Sequence, residues 1–452
     1  MDLKRRLVIA SGISFGTAML PAGSRAETAV QNPKTLSPIV AATTYGVKAN
    51  TSAFQTEALQ AAIDTAASAG LVLYLPPGAY RVEQLRLPSG AQLQGTPGRS
   101  IIRGASKQAV ITASDTDNVS VTSLTIDGAR TGNDDHEGAV TCQNCRNLVI
   151  ENCQILEAGR MGIALYGCQG RIVHNEVKGA GTTGIFSRDA TGLEIASNHV
   201  HHCDNNGIQI WRAQKGSDAT IVANNRVEHI AAKNGGSGQN GNGINVFRAA
   251  DVIVTGNRIA HCAYSAVRSN AGSNILITTN SCADLGEVAI YAEFDFEGAV
   301  IANNLVERAA TGIVVTNFNR GGRLAVVEGN LVRDLFVRDD PDRRGVGIFA
   351  EADTQISGNV IENAPVLGIG IGWGRHLRDV SVTNNIVREA GVGIGISSSI
   401  FAGRALISGN LIAGARQGGI RTLNGDKPIG LELTSNKAAP PSNIELSSNL
   451  VR

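Results

Sequence analysis

Apolar and polar residues alternate along most of the chain in short runs of the form V-x-V-x-x-N-x-V. The Asn of this unit falls at 175, 198, 225, 257, 280, 304, 330, 359, 385, 410 and 436, with spacings of 23 to 32 residues. Two earlier copies carry another residue in the Asn place, Leu124 after Val119 and Val121, and Cys153 after Leu148 and Ile150. Alternation with period two is the mark of a strand with one face inward, and helical periodicity is missing here. A repeat of 20 to 50 residues means a solenoid, a propeller or an array.

A second strand follows in most units and begins Gly-Ile, as at Gly162-Ile163, Gly184-Ile185, Gly207-Ile208, Gly243-Ile244, Gly312-Ile313 and Gly347-Ile348. Successive units must run parallel, and only about ten residues separate the two motifs; a β-helix coil satisfies both conditions. A propeller needs about 40 residues per blade, and a leucine-rich repeat needs its own Leu pattern. The pattern predicts an all-β, single-stranded right-handed parallel β-helix of about 13 coils, roughly 60 Å long at ~4.8 Å per layer. An Asn stacked on the Asn of the next layer can bond it and satisfy the backbone of a sharp turn. The open ends need covers. Ser52-x-x-Gln55 forms a predicted capping box, Glu57 to Ala69 an Ala-rich capping α-helix, and Gly70 its stop. The stretch from Asn436 to Asn449, with Pro440-Pro441, is expected to close the stack as a partial turn.

Composition sharpens this picture. Gly is abundant (53 residues) and aromatics are only 4%, which suits thin layers of small aliphatic side chains and tight turns. The formal net charge is +1, so bulk charge gives no case for nucleic acid as a partner. Lys4, Arg5 and Arg6 precede a weakly apolar run to Leu20, and Ser24-Arg25-Ala26 offers a cleavage site. Residues 1–26 are therefore expected to be an export signal of twin-arginine type, 27–70 a lead-in segment with the capping helix, and 71–452 the β-helix. A periplasmic or secreted monomer without a membrane span in its mature form follows as the expectation. Seven cysteines make an odd count for a disulfide framework. Cys142-x-x-Cys145 has no second pair or His at metal spacing, and small core residues on a strand explain it best.

Tyr45-Gly46-Val47, the run Ala58 to Ala69, and Val72-Leu-Tyr-Leu-Pro-Pro-Gly-Ala-Tyr80 together resemble the start of pectate-lyase-superfamily β-helix proteins. With Arg5-Arg6, the whole chain resembles a family of twin-arginine-exported β-helix repeat proteins. The resemblance implies the fold. It leaves activity open, because that superfamily holds lyases, hydrolases, epimerases and non-catalytic members. The acidic pairs common near the start of such chains are replaced by Lys48-Ala-Asn-Thr51, and neither polygalacturonase acid pairs nor the Asp-Pro-His-Asp of mannuronan epimerases is present.

The resemblance also implies a substrate groove on the outer face of the Gly-Ile strand. Its outward positions are the second and fourth after the Gly. They give Gln209 and Trp211, Asn245 and Phe247, Arg268 and Asn270, Tyr291 and Glu293, Val314 and Thr316, and Phe349 and Glu351 in successive coils, with Ala266 and Ala289 replacing Gly in two of them. Positions before and after this stretch read as blander, as at Gly370, Gly372, Gly395 and Ser397. Two insertions, Lys233 to Asn242 and Phe336 to Arg344, precede this strand and are expected to flank the groove.

A uronate lyase or epimerase must neutralise a carboxylate, remove the adjacent proton and supply an acid. Arg268, Tyr291 and Glu293 on neighbouring coils are the catalytic candidates. Arg268 would neutralise or act as base, and Tyr291 would be the proton partner. Gln209, Trp211, Asn245, Phe247, Asn270, Asp295 and Glu351 are the substrate-binding candidates. Glu293 with Asp295 could bind the sugar or a Ca²⁺; no other cofactor is indicated, and no metal ligand set is fixed. Glu293 and Glu351, two coils apart, approach the separation of an inverting glycosidase. The acid–His loop Asn133 to Gly138 could serve as acid/base, and His201-His202 could bind metal, although adjacent residues on a strand point to opposite faces. The function expected is binding of an extended acidic polysaccharide, with lyase or C5-epimerase activity. The alternatives are a glycoside hydrolase and a non-catalytic carbohydrate-binding or envelope protein.

Overall fold

The computed structural model describes residues 38–130, 134–338, 344–435 and 439–452. The predicted export signal lies outside the described residues, as do Asn133, Asn436 and most of the second insertion. The described chain is a right-handed parallel β-solenoid of about 14 turns with one short α-helix near its start.

One coil shows how the sequence makes the shape. The strand Glu194–Ala196 buries Ile195, Ser197 turns the chain in the left-handed conformation (φ 56°), and Asn198 takes the corner. A second strand, His199–His201, buries Val200, and a third, Asn206–Ser217, carries the Gly-Ile pair. The next coil repeats this in register, Ile195 on Val222, Val200 on Val227 and Ile208 on Ile244. Inside the third strand, Ile163, Ile185, Ile208, Ile244, Val267 and Ile290 form one continuous row with no exposed surface. The Gly before each Ile is a matter of space. A Cβ on Gly207 would lie 2.5 Å from the carbonyl oxygen of Gly243 and 2.4 Å from a Val227 methyl.

The Asn ladder is continuous. Each Nδ2 donates to the Oδ1 of the next Asn at about 3.0 Å and to a carbonyl of the preceding coil, while the next Oδ1 also accepts the backbone N–H. It begins where Cys153 N donates to Asn175 Oδ1 (2.9 Å), so Cys153 holds the Asn place as read from the sequence. Its last rung differs. Asn410 bonds Asn449 across a 39-residue step. Ile444-x-Leu446-x-x-Asn449-x-Val451 fits the motif, and an inserted hairpin, Ile420–Asn424 with Lys427–Ile429, shifts the register. The C-terminal strands Ile444–Ser447 and Leu450–Val451 then pair with the coil before them.

At the other end, the helix Thr56–Ser68 buries Leu59, Ala62, Ile63 and Ala66, and Gly70 follows it at φ 67°. The predicted capping box is absent. Gln55 precedes the first turn without a side-chain cap bond, and its Oε1 instead accepts the Lys48 N–H at 2.9 Å. The lead-in segment has recruited that amide, which leaves Ser52 a full turn away from the helix. Strand Ile39–Ala41 already pairs with Val72–Tyr74 as the first layer of the sheet. All seven cysteines are buried and unpaired, Cys142 and Cys145 among them. Burial pushes the thiols of Cys153, Cys203 and Cys282 up to about 12. No helix among the described residues is long and apolar enough to cross a membrane.

Candidate functional site

The outward positions of the third strand form two straight rows. Phe186, Gln209, Asn245, Arg268, Tyr291, Val314 and Phe349 pair in one; Tyr166, Arg188, Trp211, Phe247, Asn270 and Glu293 pair in the other. Every residue singled out on this strand therefore lies on one face. The surface they make is not one open groove. It is two clefts separated by a closed segment.

The larger cleft has a volume of about 590 Å³. Four rings line it on successive coils, Tyr166, Phe186, Trp211 and Phe247, with centroids 5.7, 5.6 and 5.5 Å apart in tilted and edge-on pairs. Arg160, Arg188, Arg212 and Arg248 surround them, with Asp135 the one carboxylate in the lining. Gln209 is held by Thr183 Oγ1 at 2.6 Å. Trp211 Nε1 donates to Asn245 Oδ1 (2.9 Å), and Asn245 Nδ2 donates to the Gly238 carbonyl of the first insertion (2.9 Å). The substrate-binding candidate Asn245 thus lies beneath the cleft and orients its Trp. From the acid–His loop, Asp135 pairs with Arg160, and the His136 carbonyl accepts from Tyr166 Oη at 2.7 Å. Burial raises the Tyr166 hydroxyl to about 12, with the nearby Arg188 charge acting the other way.

Tyr166, Phe186 and Arg188 correct the expectation that the rows fade before Gln209. The rule that found Trp211, the second and fourth positions after Gly, also gives Phe186 and Arg188 after Gly184 and Tyr166 after Gly162. Applied to those two coils, it would have located the whole cleft.

The closed segment is the predicted triad. Arg268 forms a two-pronged pair with Glu293 (Nε–Oε1 2.7 Å, Nη2–Oε2 3.0 Å), donates to Glu287 Oε2 at 3.2 Å and lies 4.7 Å over the Tyr291 ring. Arg268, Glu293 and Glu287 are 6%, 2% and 2% exposed, so solvent and polymer are excluded from the pair. Glu287, two residues before Ala289 in the Gly place, gave no sequence signal. Burial opposes the Arg268 charge, but Glu293, then Glu287 and Tyr291, outweigh it and hold the guanidinium above its usual pKa. A guanidinium so held is a cation and not a base. Asn270 Nδ2 adds a bond to Glu293 Oε1 (3.0 Å), and Asp295 pairs with Lys215 at 3.2 Å. Both Glu293 oxygens accept from protein donors, so the Glu293–Asp295 set does not fit a Ca²⁺, which needs those oxygens free.

Beyond this block lies a smaller cleft of about 210 Å³, lined by Tyr291, Glu351, Phe349, Arg344, Trp373 and Asp426 among others. Arg344 lies 4.7 Å over the Trp373 ring, and Glu351 Oε2 accepts the Phe318 N–H at 2.7 Å. Of the sequence candidates, Gln209, Trp211 and Phe247 meet in the large cleft and Tyr291 and Glu351 in the small one, while Arg268 and Glu293 lie between.

His201 and His202 depart from strand alternation. His202 sits at φ 54°, which swings its ring back so that the two Nδ1 atoms are 2.8 Å apart. His201, His199 and Glu176 converge on the face next to the cleft and are the one His/Cys/carboxylate group among the described residues with metal-ligand spacing.

Solved structures similar to this chain share its fold at low identity. An N-terminal fragment of bacteriophage phi29 gene product 12 is 16% identical with a TM-score of 0.53, over 91% of this chain and 72% of that one. The pre-mature form of gene product 12 is 16% identical with a TM-score of 0.54, over 87% of this chain; the chain spans 58% of its length. The A-module of an Azotobacter vinelandii mannuronan C-5 epimerase is 16% identical with a TM-score of 0.49, over 91% of this chain and 99% of that one. No curated protein sequence matches. The family described as right handed beta helix region matches residues 98–227 and 213–387, well over half of the sequence and all the coils that line the large cleft, and the chain belongs to that family.

Proposed function

We propose that this is an exported carbohydrate-binding protein whose aromatic–arginine cleft holds an acidic polysaccharide. The observation that carries the reading is the strip of four rings, Tyr166 to Phe247, set among four arginines. Aromatic faces cover the apolar faces of sugar rings, and guanidinium forks bind carboxylates. A run of rings at coil spacing suits an extended polymer laid along the solenoid axis, with the first insertion, pinned by Asn206, Asn242 and Asn245, forming one wall.

A second reading, β-elimination or C5-epimerisation of a uronate in the same cleft, is favoured by the Tyr166 hydroxyl on the coil next to Arg188 and beside the His136 loop. There Arg188 would neutralise the substrate carboxylate, and Tyr166 would move the proton. The buried Arg268–Glu293 pair would divide the binding surface and set the spacing between the two clefts. Hydrolysis has less support, since Glu293 is closed off by Arg268 and Glu351 accepts a backbone N–H.

Titration calorimetry with alginate, polygalacturonate and hyaluronate oligosaccharides tests the binding reading, with a neutral glucan as reference. Binding of an acidic oligomer that weakens in Trp211→Ala and in Arg188→Gln is expected. Equal binding of the neutral glucan, or unchanged affinity in both variants, refutes it. Absorbance of unsaturated product and NMR of the C5 proton, with Tyr166→Phe as comparison, test the chemistry.

A further inference from the structure

The face beside the large cleft carries a second constellation, on the second strand of three successive coils. Glu176 is the direct neighbour of His199, and His201 of Glu228. His199 and His201 are two residues apart on one strand, so both point outward, and their rings stack at 4.1 Å. His201 Nε2 is 3.2 Å from Glu176 Oε1, and His199 Nε2 is 3.0 Å from Glu228 Oε1. One ligand atom from each of Glu176, His199 and His201 lies within 4.8 Å of the other two.

We propose that Glu176, His199 and His201 bind a divalent transition-metal ion, zinc by the nature of the donors. Zinc takes imidazole nitrogen and carboxylate oxygen at about 2.0–2.2 Å in a tetrahedron, which puts neighbouring donor atoms about 3.3–3.6 Å apart. The 3.2 Å contact of Glu176 with His201 is already close to that spacing, and one ligand atom of each of the three residues lies within 4.8 Å of the others, so side-chain rotations can close the set. Two nitrogen donors exclude Ca²⁺ and Mg²⁺, which take oxygen.

The surroundings are those of ligands held in place. Gln154 Nε2 donates to Glu176 Oε2 at 2.8 Å, which turns Oε1 toward the imidazoles. His202 Nδ1 faces His201 Nδ1 at 2.8 Å, so a proton placed on His201 Nδ1 leaves the Nε2 lone pair for the metal. Arg226 bonds Glu228 Oε2 at 3.0 Å and leaves Oε1 toward His199. Outer partners of this kind fix the orientation and tautomer of metal-binding His. Side-chain exposures of 9% for His201, 35% for Glu176 and 37% for His199 give an ion a path in. The ion would join two neighbouring coils directly behind the turn that leads to Asn205 and Asn206 in the cleft wall. Its role is that of a clamp on the wall, independent of which polymer the cleft takes.

The untagged full chain is stripped with chelator and titrated with Zn²⁺ by calorimetry and with Co²⁺ by visible absorption. One equivalent of Zn²⁺, a Co²⁺ d–d band displaced by Zn²⁺, and a Zn²⁺-dependent rise in Tm are expected. Glu176→Gln, which preserves shape, and His199→Ala lose the Co²⁺ band and the rise in Tm. Gln154→Ala weakens binding by roughly 10-fold or more. His229→Ala, which changes the next imidazole along the row, leaves binding intact. Absence of any Co²⁺ band in the parent protein overturns the proposal. So does full affinity in Glu176→Gln and His199→Ala, or a loss confined to His229→Ala.

Discussion

Removing one rung of the Asn ladder tests the fold at its most specific point. Asn280 accepts two bonds at Oδ1, from Asn257 N and Asn257 Nδ2, both 3.0 Å, and its own Nδ2 donates to Val254 O and Asn304 Oδ1, also at 3.0 Å. Asn280→Ala ends all four. The Asn257 N–H and one proton of its amide then have no acceptor, in a site where Asn257 and Asn280 are each 1% exposed. A buried polar group left without a partner costs ~1–3 kcal/mol, so two donors give a loss of about 2–6 kcal/mol. Stability in a solenoid is a sum of coils and their interfaces, so the damage stays local and should split the unfolding transition or lower its first step. Urea unfolding followed by circular dichroism and hydrogen exchange reads this. Protection should fall most at Asn257 and in the two coils around it. Asn303→Gly is the control. It deletes an exposed amide at a left-handed position (φ 56°) that glycine adopts freely, and should stay within about 0.5 kcal/mol of the parent. A loss below about 1 kcal/mol in Asn280→Ala, or one equal to that of the control, refutes the account of the ladder as the device that satisfies the corner.

Further outcomes follow from other sites. Arg268→Ala leaves Glu293 and Glu287 buried without their cation and should cost ~3–5 kcal/mol in urea unfolding, while Arg268→Met with Glu293→Gln should cost less; equal losses would contradict the pairing. Trp211→Ala should weaken an acidic oligosaccharide by about 2 kcal/mol, roughly 30-fold, in calorimetry, and an unchanged Kd would remove Trp211 as the anchor. Asp218, fully buried and pushed up to about 6 by burial against the weaker pull of Thr220 and Arg212, gives a pH signature. The native state holds this proton more tightly than the unfolded chain, so stability falls as pH rises from about 4 to about 6 and levels off above, by up to ~3 kcal/mol. Asp218→Asn should remove that slope and gain most over the parent above pH 6; parallel pH profiles for the two proteins would refute it.

Much of this molecule is visible in its sequence because a solenoid turns periodicity directly into position. A residue at a fixed offset from Gly or Asn lands in a fixed row, so Trp211, Arg268 and Glu293 could be placed on one face without coordinates. What escaped was whatever breaks the offset. Asn436 fits the motif as well as Asn449 does, and only the inserted hairpin decides between them. His202 belongs on the opposite face by alternation, and its left-handed backbone, which no side chain announces, returns it to His201. Gln55 has the right spacing for a capping box, but a backbone N–H seven residues earlier claims its amide. Depth is also invisible to periodicity. The rows put Arg268 and Glu293 outward, yet Glu287 and the first insertion enclose them, and outward became interior.

The seven enclosed thiols lend the solenoid a memory of how it comes apart. Cys142, Cys145, Cys153 and Cys168 occupy the earlier coils and Cys203, Cys262 and Cys282 the middle ones, while the chain from Asn304 onward contributes none. Enclosed in the core, each should resist alkylation until its own layer opens. Pulsed alkylation read by peptide mass would then record the order in which layers separate: early modification of Cys142 before Cys282 means fraying from the helix-capped end, and the reverse order means unwinding from the hairpin end.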